Sequence, residues 1–171
     1  MWIFGYGSLI FRPSFPFAER RDAWLSGFSR RFWQASPDHR GVPEAPGRVV
    51  TLVRDPAART WGVAYRIATA DVDDVLAHLD HREQNGYERH DVALETRAGE
   101  VGATLWLAGP DNPSWRGGEP AAAIAAIARR AVGPSGSNRD YVERLAAALR
   151  DAGERDEHVE EIHALVVRSS T

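Results

Sequence analysis

The chain has 171 residues, 43% of them hydrophobic, and a formal net charge of -3, which suits a single globular domain over residues 1–171 and offers no basic field for a nucleic-acid backbone. It has no Cys and no Lys, all 21 cationic side chains being Arg, so thiolate nucleophiles, disulfides, Cys-type zinc sites, Schiff-base lysines and phosphate-loop lysines are excluded. No basic leader with an apolar run opens the sequence, and no stretch of about 18 apolar residues occurs, so a cytoplasmic protein without a membrane partner is expected.

Trp2–Phe4 reads as a short buried strand that breaks at Gly5-Tyr6-Gly7-Ser8-Leu9. The aromatic-rich stretch 23–35 reads as strand, and 36–47, dense in Pro and Gly, as loop. Residues 48–53 and 61–67 read as two strands, with DPAART between them as a hairpin turn. The period then changes. Val72, Val75, Leu76 and Leu79 recur at helical spacing, behind Asp71, Asp73 and Asp74 in the first turn. That helix is expected to stop near Arg82–Glu83, ahead of Asn85-Gly86. Residues 90–95 and 101–108 return to strand, with a turn at Ala98-Gly99. Helices are expected over 120–131, from Ser137 onward, and over 155–167. Ser137 is the expected N-cap of the second of these, with Asp140 as its capping-box partner. Strands first and helices last argue for an α+β domain rather than a doubly wound sheet.

Four stretches can carry chemistry. Two glycines around Tyr6 let the backbone turn sharply, and successive N–H groups in such a turn can hold a carboxylate or a carbonyl oxygen. The same pattern also serves as a plain turn after a strand. The stretch lacks the last glycine of a hydrolase nucleophile elbow and the third glycine of a dinucleotide fingerprint. In LDHREQNGY, Glu83 falls at a helix C-terminus, where the dipole disfavours a carboxylate. A residue that breaks a local rule invites a functional reading, here as a proton carrier, against the alternative of a solvated Glu–Arg neighbour pair. His78 and His81 are spaced to share a face, but no zinc signature accompanies them, and no metal is expected. GPSGSNRDY leads into a capped helix in which Tyr141 serves either a ligand or the core. Arg30, Arg31, His39 and Arg40 are candidates for a substrate carboxylate, or solvated surface charge.

MWIFGYGSLI, SRRFWQASPDHRGVPEAPGRVVTLV, WGVAYRI, HLDHREQNGY and GPSGSNRDY follow one another in this order. Together they resemble the ChaC family of γ-glutamylcyclotransferases, in its short glutathione-specific form, from residue 1 to about 150. The resemblance implies a small mixed β-barrel with surrounding helices. It implies cleavage of glutathione to 5-oxoproline and cysteinylglycine without a cofactor. It also implies a substrate loop at Gly5, Tyr6, Gly7, Ser8 and Leu9, an essential glutamate at Glu83, and Tyr141 in the same pocket. Other γ-glutamyl amines as substrates, and a non-catalytic γ-glutamyl-binding protein, stay open. The family often has Gly-Gly where this chain has Asn85-Gly86, and Asn is expected there as a residue that tolerates positive φ.

Overall fold

The computed structural model describes residues 1–83 and 85–168. Its strands are β1 (Trp2–Gly5), β2 (Glu19–Ser36), β3 (Gly47–Arg66), β4 (Glu88–Thr96), β5 (Gly99–Leu107), β6 (Val132–Gly133) and β7 (Gly136–Ser137). Its α-helices are α1 (Val72–Arg82), α2 (Ala121–Ala128), α3 (Asn138–Asp151) and α4 (Glu157–Val167). The chain forms two compact units, Met1–Ser29 with Leu52–Asn112, and Arg30–Thr51 with the chain from Pro113 onward.

Five strands close into a barrel in the order β1-β3-β2-β4-β5. β1 lies antiparallel to β3, from Trp2↔Arg66 to Gly5↔Val63, and parallel to β5 at Ile3↔Thr104. That parallel seam makes the barrel mixed. β4 and β5 form a hairpin from Glu88↔Leu107 to Thr96↔Gly99, about the turn expected at Ala98-Gly99. In the first unit Ile3, Phe4, Leu25, Val63, Leu79, Leu94 and Leu105 are all buried. Each such side chain contributes about 1.5–3 kcal/mol.

The hairpin expected at DPAART does not form. β3 runs unbroken from Gly47 to Arg66. Cross-strand contacts to β2 explain it. The Arg54 and Arg59 guanidinium groups lie over Phe28 and Trp24, at 4.4 Å and 4.7 Å from the ring centroids, and the Thr60 hydroxyl donates to the Phe28 carbonyl at 2.7 Å. Pro56 sits exposed, where a missing ladder donor costs little.

In the second unit α4 packs against both α2 and α3. Its interior includes Phe32, Ile124, Leu145, Leu149, Val159 and Ile162. Ser137 caps α3 as expected, its hydroxyl accepting the Asp140 N–H at 3.1 Å. The Asp140 carboxylate does not complete a capping box; it accepts from Arg40 at 3.3 Å and Arg144 at 2.9 Å. GPSGSNRDY leads into α3 as expected, through the short β6–β7 ladder of Val132↔Ser137 and Gly133↔Gly136. Asp156 caps α4 and also receives the buried Arg30 guanidinium at 3.0 Å. Among the described residues, no helix is long and apolar enough to cross a membrane.

Candidate active site

The first candidate segment leaves the barrel at Gly5. After Gly7 the chain makes a single 3-10 turn, Ser8–Ile10. The Ile10 N–H donates to the Gly7 carbonyl at 3.0 Å, and the Phe11 and Arg12 N–H groups donate to the Ser8 carbonyl at 3.2 Å and 2.8 Å. The Ser8 and Leu9 N–H groups precede these bonds, where a helical turn provides no internal partner. Gly5 makes the tight return possible: a Cβ there would lie 2.7 Å from Leu9 Cβ. Two tyrosines brace the segment. The Tyr65 hydroxyl donates to the Leu9 carbonyl at 2.6 Å; burial pushes its pKa up, so it stays a donor. The Tyr6 hydroxyl donates to the Trp106 carbonyl at 2.8 Å, which turns that side chain inward.

The second segment is the end of α1. The Glu83 N–H donates to the Leu79 carbonyl at 2.8 Å, and Glu83 caps the helix as the sequence leads one to expect. Its carboxylate is 18% exposed and lies 3.4 Å from Arg82 Nε. Arg82 Nη2 in turn donates to the Ser8 hydroxyl at 2.6 Å. The turn and the carboxylate are therefore joined through one guanidinium. Asp80 anchors the same helix end, accepting from the Trp106 indole at 3.0 Å and pairing with Arg89. Beyond Glu83, Asn112 Nδ2 donates to the carbonyls of Asn85 and Gly86, each at 2.9 Å. Gly86 has φ +81°, and no non-glycine residue among those described has positive φ. Asn85 therefore departs from Gly-Gly without strain. Gln84, within the same motif, lies outside the described residues.

Arg40 and Tyr141 belong to the second unit. Both are buried. The Arg40 guanidinium lies over the Tyr141 ring at 5.4 Å and donates to the Ser137 carbonyl at 3.1 Å as well as to Asp140. Burial opposes ionisation of Asp140, but the Arg144 and Arg40 guanidinium groups outweigh it and hold that carboxyl below the usual range. The Tyr141 hydroxyl accepts the Val50 N–H at 3.3 Å. Arg30 is closed off from solvent on Asp156, Arg31 donates to the Arg30 carbonyl at 2.8 Å, and His39 Nδ1 shares a hydrogen bond with Ser135 Oγ at 3.2 Å. His78, weighed as a metal ligand, instead faces Ser14 Oγ at 3.0 Å. Among the described residues no group of three or more His, Cys, Asp or Glu is arranged to hold a metal ion.

A Glu–Arg neighbour pair is what the sequence offers for Arg82, and that pair forms; the reach of Arg82 to Ser8 and the anchoring by Asp80, Trp106 and Asn112 are not read from it. Arg82 and Asp80 stood inside the titratable run around Glu83, which was their signal. Asn112 had none, because its partners are backbone carbonyls some 26 residues away.

The family model for ChaC-like protein matches residues 1–169. The chain belongs to the ChaC-like family. Glutathione-specific gamma-glutamylcyclotransferase 1 of Mus musculus is 40% identical over 169 residues, covering 95% of this chain and 76% of the relative. Gamma-glutamylcyclotransferase 2-3 of Arabidopsis thaliana is 40% identical over 171 residues, covering 95% and 86%. A crystal structure of the yeast gamma-glutamyl cyclotransferase specific to glutathione superposes with a TM-score of 0.91 at 29% identity, covering 98% of this chain and 96% of that one. The mixed barrel with its helices is thus the fold of this ChaC-like chain and of the yeast enzyme.

Proposed function

We propose that this ChaC-like chain is a glutathione-specific γ-glutamylcyclotransferase, with Glu83 as its proton carrier and the Gly5–Leu9 segment as the holder of the γ-glutamyl head. The observation that carries the reading is the Glu83 carboxylate, joined through Arg82 to the Ser8 turn within one compact unit. The names of the mouse and yeast relatives support glutathione as the substrate. The reading takes the cytoplasm, with its glutathione pool, as the place of action.

The reaction is an internal aminolysis. The α-amino nitrogen of the γ-glutamyl unit attacks its own γ-carbonyl carbon, a C–N bond forms, and the bond to the cysteinyl nitrogen breaks. The attacking nitrogen sheds two protons on the way from ammonium to lactam. The departing nitrogen gains two on the way from amide to ammonium. A single carboxylate that alternately accepts and returns a proton serves both ends, so no second acid is required. Holding the substrate folded, with nitrogen against carbonyl carbon, is worth up to about 7–11 kcal/mol in well-oriented intramolecular reactions. The Ser8 and Leu9 N–H groups are suited to hold the α-carboxylate or to polarise the γ-carbonyl.

The test is incubation of the purified chain with reduced glutathione, with and without EDTA, and quantification of 5-oxoproline and cysteinylglycine by mass spectrometry. Equal yields of both products, insensitive to EDTA and lost in Glu83→Gln, are expected. Wild-type turnover in that variant would remove Glu83 from the chemistry. The Arabidopsis relative's name specifies no peptide, so other γ-glutamyl amines are run in competition. Faster cyclisation of one of these would replace glutathione as the substrate while leaving the chemistry in place.

A further inference from the structure

Arg82 ends α1, and its guanidinium reaches in three directions. Nη2 donates to Ser8 Oγ at 2.6 Å, Nη1 donates to Ser14 Oγ at 3.3 Å, and Nε lies 3.4 Å from Glu83 Oε1. Its side chain is 20% exposed. His78, one turn earlier on the same helix face, shares a hydrogen bond with the Ser14 hydroxyl at 3.0 Å. The segment from Ser8 to Ser14 is therefore fastened to α1 at both ends. A guanidinium is planar, with donors in a fixed fork, so a bond from Nη2 to Ser8 also sets the direction of Nε. An ammonium on a flexible stem cannot fix both directions at once. The contact also orients the Ser8 hydroxyl. Its oxygen accepts from a cation, so its own proton is left to donate to a carboxylate or carbonyl.

We propose that Arg82 is a positioning residue for the cyclisation. It fixes the separation between the turn that carries the Ser8 and Leu9 N–H groups and the Glu83 carboxylate, and it acts through those two groups rather than on the reacting atoms. The role in catalysis rests on the function proposed above; the fastening of the turn does not. Tyr65 braces Leu9 from β3 but leaves the turn without a hold on α1, and Arg82 supplies that hold.

Two measurements on Arg82→Gln, Arg82→Lys, Ser8→Ala and the double variant Ser8→Ala/Arg82→Gln test it. The first is amide hydrogen exchange at Ile10 and Phe11, whose N–H groups close the turn. Faster exchange is expected in both Arg82→Gln and Ser8→Ala, with amides in the β4–β5 hairpin unchanged. The second is steady-state kinetics with glutathione. Because a misplacement of about 1 Å can cost about 100-fold, kcat of Arg82→Gln is expected to fall by that order, with KM moving far less. Arg82→Lys should recover only part of the loss. In the double variant Ser8→Ala should cost less than it costs in the wild-type background, since residues that act as a unit are not additive. Unchanged exchange in Arg82→Gln, full rescue by Lys, or simple additivity with Ser8→Ala would each overturn the proposal. If Arg82→Gln fails to fold, Ser8→Ala still reads the contact. A wild-type chain that releases no 5-oxoproline from glutathione would sink the functional reading instead, and the exchange data would still decide whether Arg82 holds the turn.

Discussion

Trp106 donates its indole N–H to the Asp80 carboxylate at 3.0 Å, while its own carbonyl accepts the Tyr6 hydroxyl. One residue of β5 thus fastens both the segment after β1 and the end of α1. Arg89 and then Trp106 hold the Asp80 carboxyl below its usual range. Asp80→Ala removes the anchor of α1 but leaves the Tyr6 bond. The exposed Asp80–Arg89 pair is worth under about 1 kcal/mol, but the indole N–H of buried Trp106 also loses its acceptor, so the stability cost should reach about 1–3 kcal/mol. The rate of glutathione cyclisation should drop several-fold more than such a loss of folded protein explains. Urea unfolding and kcat/KM on the same preparation check this, and wild-type kcat/KM would show that the helix end needs no such anchor.

Gly5→Ala tests the return of the chain after β1. The added Cβ would sit 2.7 Å from Leu9 Cβ and 3.3 Å from the Leu9 carbonyl carbon. Leu9 is braced by Tyr65, so the turn has to move rather than one flexible side chain. Overpacking of this kind costs about 1–3 kcal/mol. The variant should fold with a lowered melting temperature and lose most of its cyclisation activity. Full activity would show that the turn tolerates displacement and is not the holder of the γ-glutamyl head.

The parts of this molecule that were legible in the sequence are those set by local pattern. The helical spacing of Val72, Val75 and Leu79 and the stop at Asn85-Gly86 placed Glu83 at its cap. The Ser137 cap was equally readable, because its partner is three residues away. What failed was decided across strands. DPAART looks like a turn by composition, yet Arg54 and Arg59 stack on Phe28 and Trp24 of the neighbouring strand and keep β3 extended. Asp140 has the spacing to reach back to its helix cap, and Arg144 four residues on, together with Arg40 100 residues away, draws it elsewhere. The same limit hid the bracing of the site. Arg82 meets Ser8 across 74 residues and Asn112 meets Gly86 across 26, and no periodicity records either contact.

Tyr141→Phe removes one hydroxyl from a buried position in the second unit. That hydroxyl accepts the N–H of Val50, which is itself buried in β3. A buried donor left without its acceptor costs about 1–3 kcal/mol. The ring contacts with Phe32 and Arg40 do not need the hydroxyl and should survive. Denaturant unfolding should therefore show a lower midpoint with an unchanged m-value. An unchanged midpoint would mean that water replaces the hydroxyl at Val50.

His158 should govern part of the response to acid. Its Nε2 accepts the Phe32 N–H at 3.0 Å, which requires that nitrogen to be unprotonated. Burial first, and the Arg31 charge second, push its pKa from 6.5 down to about 4, against the opposing pull of Asp156. The folded pKa thus lies below the unfolded one. From pH 6.5 down to about 4 the unfolded chain binds a proton that the folded chain refuses, so folding stability falls across that window. Above pH 6.5 this residue contributes no pH dependence. His158→Gln supplies a non-titrating carbonyl acceptor for the Phe32 N–H and should flatten this part of the stability curve, even where its absolute stability is lower. Thermal melts of both proteins at half-unit steps from pH 7.5 to 4, chosen to span that window, decide the matter, and parallel curves would assign the acid response to other groups.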